Sequence, residues 1–355
     1  MKILFYSRSY ENVAGGIEKM TLDLAVGLKE KGHNVTIVSL DRVGAKSFFN
    51  WPKDVQWVQL GIGNIETKNR LYVRIRRLVA IRQVVAFGSF DVAVGFQIGS
   101  FALLKASLIG LKIRVVAAER NAPTLFRYIE RGALKKLFSN FILLFATKIA
   151  IQFEDYRKLY PFWLRRKIGI TPNWVLTNHP IKATYNKSVH NILFIGRLTF
   201  QKNLEVLLKA FSILPSNFRL TVVGDGPEIN DLKNYLSINK IRGVKFLSPL
   251  IVLQPIYLDA DIFCLPSRWE GFPNVLAEAL SYGVPCVGFE NCAGINQLIM
   301  DGINGYTAKG IDSAESLAYA ILQVSKHNFI PELIASTVKS YTYANYVNLW
   351  ENILS

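Results

Sequence analysis

The chain has 355 residues, half of them apolar, which is more than one hydrophobic core ordinarily serves and points to two domains of comparable size. Three cysteines, Cys264, Cys286 and Cys292, are too few and too clustered for a disulfide framework and lack a zinc-site spacing; they are expected to be reduced thiols of a cytoplasmic protein. The net charge of +16 falls wholly in residues 1–170, which hold 28 Lys+Arg against 12 Asp+Glu, while residues 171–355 hold 14 of each.

The apolar run before Arg8 is too short for a signal-peptide core, so export is not expected. Lys2 to Ser7 reads as a buried strand. Ile17 to Lys31 reads as a helix with Ile17, Met20, Leu24 and Leu28 on one face, stopped at Gly32, and Asn34 to Leu40 as a second strand. Between the first strand and the helix lie Gly15 and Gly16, where backbone amides and the helix dipole could receive an anion; alone, a two-glycine turn is as often structural.

Lys68, Arg70, Arg74, Arg76, Arg77 and Arg82 then interleave with apolar residues, and Arg127, Arg131, Lys135 and Lys136 form a second basic group. Such a face suits an anionic membrane surface, with a solvated helix face as the alternative; no nucleic-acid module accompanies the charge, so nucleic acid is not expected. Further strands are predicted at Asp91 to Gly95, Arg114 to Ala118 and Lys148 to Phe153. The apolar stretch Leu137 to Phe153 is interrupted by polar residues and reads as a helix end followed by a strand, not a membrane span. Glu119-Arg120-Asn121 ends one of these strands, where Arg120 could meet an acceptor phosphate or simply close a salt bridge.

After the turn-rich stretch Thr171 to Lys187 the rhythm restarts: strand Asn191 to Gly196, helix Asn203 to Leu214, strand Phe218 to Gly224, helix Glu228 to Asn239, and strands Val244 to Leu247, Asp261 to Leu265 and Pro285 to Phe289, with a helix Pro273 to Tyr282 before the last. The fold class is therefore α/β, with two consecutive doubly wound, Rossmann-like domains whose ligands belong at the carboxyl ends of the strands. Three strand-to-helix turns carry polar chemistry. Gly196 to Asn203 brings Arg197 and Lys202 into one loop, a fork and an ammonium able to clamp a diphosphate. Gly224-Asp225-Gly226-Pro227 is a glycine-shaped turn that serves fold or ligand equally well. Ser267 to Glu278 places Glu270 in a loop and Glu278 among apolar helix neighbours, where ribose hydroxyls would satisfy it; the amides of Asn274 and Val275 are expected free for phosphate oxygens.

With these residues in view the chain resembles the GT-B glycosyltransferases of family GT4. The resemblance rests on Gly15-Gly16-Ile17-Glu18, Pro172-Asn173, the Arg197/Lys202 loop, the Gly224 to Pro227 turn, and Glu270 and Glu278 with seven residues between them. It implies two domains facing a central cleft: 1–172 for the acceptor, basic and membrane-facing, 173–340 for the nucleotide sugar, and 341–355 as a helix returning to the first. By that resemblance Arg197, Lys202 and Glu270 are catalytic. Gly15, Gly16, Gly196, Phe272, Pro273, Asn274, Val275 and Glu278 bind the donor, and Glu119, Arg120 and Asn121 are candidates for the acceptor. Retention at the anomeric carbon and no essential metal or other cofactor are implied as well. Asp259-Ala260-Asp261 imitates a metal-binding D-x-D but is expected to be structural, and Gln297 stands where relatives usually have a glutamate.

The expected reaction moves a hexose or N-acetylhexosamine from a UDP-sugar to a saccharide acceptor, polyprenyl-diphosphate-linked, in lipopolysaccharide or other surface-polysaccharide assembly, on the inner face of the cell membrane. A sugar-nucleotide 2-epimerase on the same fold and a non-catalytic UDP-binding subunit are the alternatives.

Overall fold

The structure, a computed structural model, describes residues 1–13, 15–62, 71–185, 188–250 and 252–355; Lys68 and Arg70 of the first basic group lie outside them. The chain forms two compact units, Met1–Asn173 with Ala344–Ser355, and Trp174–Tyr343. Asn173 groups with the first unit because its side-chain oxygen accepts a hydrogen bond from Arg120. Tyr341, expected at the head of the returning helix, groups with the second, where its carbonyl accepts the Val175 amide at 2.8 Å and its ring meets Phe272 at 5.4 Å.

The first unit is built on seven parallel strands: β1 (Lys2–Tyr6), β2 (Asn34–Ser39), β3 (Gln56–Gln59), β4 (Val92–Phe96), β5 (Arg114–Ala118), β6 (Lys148–Ile151) and β7 (Ile168–Ile170), in the order β3-β2-β1-β4-β5-β6-β7. Ile3 to Tyr6, Val92 to Phe96 and Val115 to Ala118 are buried throughout, the near-continuous apolar run of strands covered on both faces. The helices are α1 (Gly16–Glu30), α2 (Leu71–Gly88), α3 (Ile98–Ser107), α4 (Gly132–Leu143) and the short α5 (Glu154–Arg157) and α6 (Phe162–Arg165). Helix α1 buries Met20, Leu24 and Leu28, as its periodicity requires.

The second unit has six parallel strands, β8 (His190–Ile195), β9 (Phe218–Val223), β10 (Val244–Leu247), β11 (Ile262–Leu265), β12 (Cys286–Phe289) and β13 (Gly305–Ala308), in the order β10-β9-β8-β11-β12-β13. Its helices are α7 (Leu204–Ser212), α8 (Ile229–Ile238), α9 (Gln254–Asp259), α10 (Asn274–Ser281), α11 (Ala314–Lys326) and α12 (Pro331–Ser336). Helix α11 packs on α7, β12 and β13 and closes one face of the sheet. The last helix, α13 (Tyr343–Leu354), buries Trp350 in the first unit, donates from the Tyr346 hydroxyl to the Met20 carbonyl at 3.0 Å, and pairs Glu351 with Lys31 at 2.5 Å and His33 at 2.8 Å.

In each sheet the strand order reverses around the first strand. The chain leaves β1 to build β2 on one side and β4 on the other, and leaves β8 to build β9 on one side and β11 on the other. The loops that leave the carboxyl ends of such neighbouring strands diverge, and the crevice between them is where α/β sheets take ligands.

Candidate active site in the second unit

The loop after β8 is fixed from both sides. Toward β9, the Gly196 amide donates to the Val223 carbonyl at 3.0 Å and the Leu198 amide to the Asp225 carbonyl at 2.9 Å. This approach leaves no room for side chains: a Cβ on Gly224 would lie 2.0 Å from the Gly196 carbonyl oxygen, and one on Gly226 would lie 2.3 Å from that of Leu198. The two glycines therefore serve the fold, by letting the β9 turn carry the β8 loop.

Toward β11, the Arg268 amide donates to the Gln201 carbonyl at 2.8 Å, and the Gln201 side-chain amide donates to the Trp269 carbonyl at 2.8 Å. The Arg268 guanidinium lies over the Phe200 ring at 4.0 Å and reaches Asp312 at 2.9 Å, while Asn203, at φ 55° ahead of α7, donates to the same carboxylate at 3.1 Å. These bonds hold Lys202 against Glu270: Nζ to Oε1 is 2.7 Å, with side chains 17% and 7% exposed. The stem of Lys202 runs beside Gly196, whose missing side chain leaves it space. The ion pair thus bridges the divergence of the β8 and β11 loops. Arg197, from the same loop, is exposed, and its guanidinium makes no hydrogen bond or ion pair among the described residues.

After Glu270 the chain turns through buried Gly271, Phe272 and Pro273 into α10. The Asn274 amide is not free as expected, because it donates to the Phe272 carbonyl at 2.9 Å; the Val275 amide has no acceptor among the described residues. Glu278, one turn on, is half-buried, and its Oε2 accepts from the Tyr257 hydroxyl at 2.9 Å. Tyr257 is enclosed and stacks on Tyr282 with ring centroids 5.0 Å apart, so the hydroxyl that orients Glu278 is itself fixed. Sequence reading missed Tyr257, which comes from α9. Asp261, the second acid of D-x-D, is buried against Lys182 at 3.2 Å and accepts the Asn191 amide at 3.0 Å; Asp259 is exposed at the end of α9.

In the first unit, Gly15 precedes α1 in an extended conformation, and the space over it is taken by the Glu18 carboxylate, 2.0 Å from where a Cβ would sit. Burial raises the Glu18 pKa, and the hydrogen bond to its own amide opposes that shift. The anion expected at Gly15-Gly16 would have to displace this internal carboxylate. Arg120, expected to face an acceptor phosphate, turns inward instead: it is 6% exposed, donates to the Thr171 carbonyl and hydroxyl at 3.1 Å each and to Asn173, and lies over the Trp350 ring at 5.6 Å. Burial pushes its pKa down to about 10. Its neighbour Glu119 keeps Oε1 enclosed with no partner among the described residues, and burial pushes that carboxyl up to about 7. Asn121 is half-buried at the same strand end.

Residues 189–327 match the family described as Glycosyl transferases group 1. The chain is 26% identical, over 94% of its length and 92% of the relative's, to the Campylobacter jejuni GalNAc-alpha-(1->4)-GalNAc-alpha-(1->3)-diNAcBac-PP-undecaprenol alpha-1,4-N-acetyl-D-galactosaminyltransferase. Among solved structures it is similar to the lipopolysaccharide outer core galactosyltransferase WaaB, with a TM-score of 0.79 at 17% identity over 100% of this chain and 99% of the other. It is also similar to Anabaena Alr3699/HepE in complex with UDP and glucose, with a TM-score of 0.76 at 15% identity over 100% and 99% of the two chains. At such identities the structures establish the fold, and the fold is GT-B.

Proposed function

We propose, from a chain of GT-B fold whose residues 189–327 match the group 1 glycosyl transferases, that this protein is a glycosyltransferase of bacterial surface-polysaccharide or lipid-linked glycan assembly. Its donor is a UDP-sugar, the group moved a hexose or N-acetylhexosamine, and the acceptor a saccharide on a polyprenyl diphosphate. The Lys202–Glu270 ion pair carries this reading, because it sets a buried cation where the second sheet's loops diverge.

In the proposed reaction the acceptor hydroxyl oxygen forms a bond to the anomeric carbon, on the face the leaving group vacates, as the bond from that carbon to the UDP diphosphate breaks and the hydroxyl proton passes to the departing diphosphate oxygen. Negative charge grows on the leaving diphosphate. Arg197, Lys202 and the Val275 amide answer that charge, and cations held in place need no reorganisation at that moment. With these groups supplying the positive charge, the reaction needs no metal. Glu278, held by Tyr257, takes the ribose hydroxyls, and Phe272 and Pro273 shape the turn that presents the α10 amides. Glu270 holds the ammonium of Lys202 and, with the adjoining backbone, faces the sugar. Retention at the anomeric carbon is the stereochemistry we assign. The acceptor role in the first unit falls to Glu119 and Asn121, since Arg120 is spent on Thr171 and Asn173.

A relative that acts on an undecaprenol-linked saccharide supports the acceptor class, and a structure of the same fold in complex with UDP supports the nucleotide. The test is a melting screen against UDP, GDP and their sugars. UDP at 100 times its Kd should stabilise the protein by about 2.7 kcal/mol. A melting point indifferent to every nucleotide refutes the proposal, and turnover of UDP-N-acetylglucosamine without an acceptor would move it to an epimerase.

A further inference from the structure

The first unit exposes an apolar surface that the transfer chemistry does not use. Helix α4 is amphipathic in sequence but docks by its less apolar side. Its buried residues are Gly132, Ser139 and Leu143, and the tightest approach is at Gly132, where a Cβ would stand 1.7 Å from the Phe126 carbonyl oxygen. At 3.6 residues per turn, Leu134, Leu137, Phe138, Phe141 and, two residues past the helix end, Phe145 fall within about a third of the circumference on the opposite side. Their exposures are 66%, 66%, 65%, 57% and 53%. The rings of Phe141 and Phe145 meet edge to face at 5.6 Å, which makes the stripe continuous. A soluble surface scatters such side chains singly; a contiguous row of them marks a contact.

Charge says what that contact is. Arg131 and Lys135 are exposed along one flank of the stripe, and α4 contains no acidic residue. Helix α3 packs on both α4 and α2, and α2 repeats the composition: Leu71, Tyr72, Ile75 and Val79 are exposed beside Arg74 and Arg76, again without an acid in the helix. A second copy of this chain would bring the same cations to a self-complementary interface and be repelled. An anionic bilayer answers both halves of the surface, with acyl chains for the stripe and headgroups for its flank.

We propose that the outward face of α4 inserts into the headgroup boundary of an anionic membrane, with Arg131 and Lys135 at the phosphate level. No helix among the described residues is long and apolar enough to cross the bilayer, so the attachment is interfacial. The inference stands whether or not the donor assignment does.

The test uses the full chain and vesicles of phosphatidylcholine with about a third phosphatidylglycerol, at about 0.1 M salt where surface charge still acts over roughly 10 Å. The protein is expected to sediment with these vesicles and to bind pure phosphatidylcholine far more weakly. Phe138→Ser with Phe141→Ser should weaken binding at least about thirtyfold, from the apolar burial lost. Arg131→Glu with Lys135→Glu should weaken it roughly tenfold or more on the anionic vesicles alone. Because the three native cysteines are buried, a Phe141→Cys protein can carry one environment-sensitive fluorophore, which should shift to the blue on adding anionic vesicles. Absence of sedimentation, unchanged binding by the serine variant, or a fluorophore that stays in water on bound protein each overturns the proposal. So does a salt-stable dimer, seen by light scattering, that the serine substitutions abolish.

Discussion

Replacing Lys202 by Met should have two separable consequences. The Lys202–Glu270 pair is 2.7 Å long with both side chains mostly enclosed, so removing the cation strands a carboxylate that is only 7% exposed. Breaking a buried pair by removing one partner typically costs about 3–5 kcal/mol. Glu270 makes other interactions and Lys202 keeps some contact with water, so a cost somewhat below that range, about 2–3 kcal/mol, is expected here. Replacing both partners, Lys202→Met with Glu270→Gln, removes the stranded charge and should restore most of that loss, giving a coupling energy of roughly 2 kcal/mol in a double-mutant cycle. The restored protein is then the right one in which to ask about ligand. Wild type with UDP at 100 times its Kd should gain about 2.7 kcal/mol, and the folded double variant, which keeps Arg197, should gain only about half of that at the same UDP concentration. Calorimetric melting of the four proteins, with and without UDP, reads both effects. A double variant that melts no higher than Lys202→Met denies that the pair is an energetic unit. One that still responds fully to UDP denies that Lys202 holds the diphosphate.

Tyr257→Phe removes the hydroxyl that orients Glu278 at 2.9 Å and should raise the donor KM about tenfold with little change in kcat, the pattern of a lost ground-state contact; steady-state kinetics against donor concentration checks it. Gly224→Ala forces a Cβ to within 2.0 Å of the Gly196 carbonyl at φ 149°, and should cost about 3 kcal/mol or more in denaturant melts. Gly310→Ala, at φ 71° but with open space around it, should cost about 1 kcal/mol. Glu119→Gln tests a raised carboxyl. Between the ordinary 4.5 and about 7 the unfolded chain releases a proton that the folded one keeps, so wild-type stability falls across that window and stays low above it. The variant should match wild type near pH 4 and be more stable at pH 8, by up to about 3 kcal/mol in urea melts; equal stability at both would mean the carboxyl is ordinary.

The fold was legible where burial dictates composition. β1, β4 and β5 are buried on both faces, so their residues are apolar almost without interruption. Strand β3 reads Gln-Trp-Val-Gln, and β13 reads Gly-Tyr-Thr-Ala; both are short and half-covered, so neither carries a pattern to find. The loops bearing Lys202 and Glu270 were legible because each stands between a strand and a helix, while the bond between them needed the strand order. Tyr257 could not be found: its reach to Glu278 depends on where packing sets the short α9, 21 residues earlier. Arg120 failed for a related reason. A cation at a strand end reads as outward, and the acceptors that turn it inward, Thr171 and Asn173, lie more than 50 residues on. Helix α4 adds a third case: Leu137 to Phe153 read as a helix end followed by a strand, which does not say which side of that helix α3 would cover.

The two cations of the β8 loop are not equivalent, and the difference bears on how binding and rate divide. Arg197 is exposed and its guanidinium has no partner among the described residues, so it can attract a diphosphate from solution and already holds it before the reaction as well as during it. Lys202 is already neutralised by Glu270 at 2.7 Å, which reduces what it can offer a bound UDP-sugar at rest. As the glycosidic bond breaks and charge moves onto the diphosphate, the balance between the two anions competing for that ammonium tilts toward the leaving group. An interaction that strengthens only along the reaction lowers the barrier, whereas one present throughout lowers only KM. On the proposed reading Arg197 therefore serves affinity as well as rate and Lys202 chiefly rate, and Glu270 is the residue that makes them different.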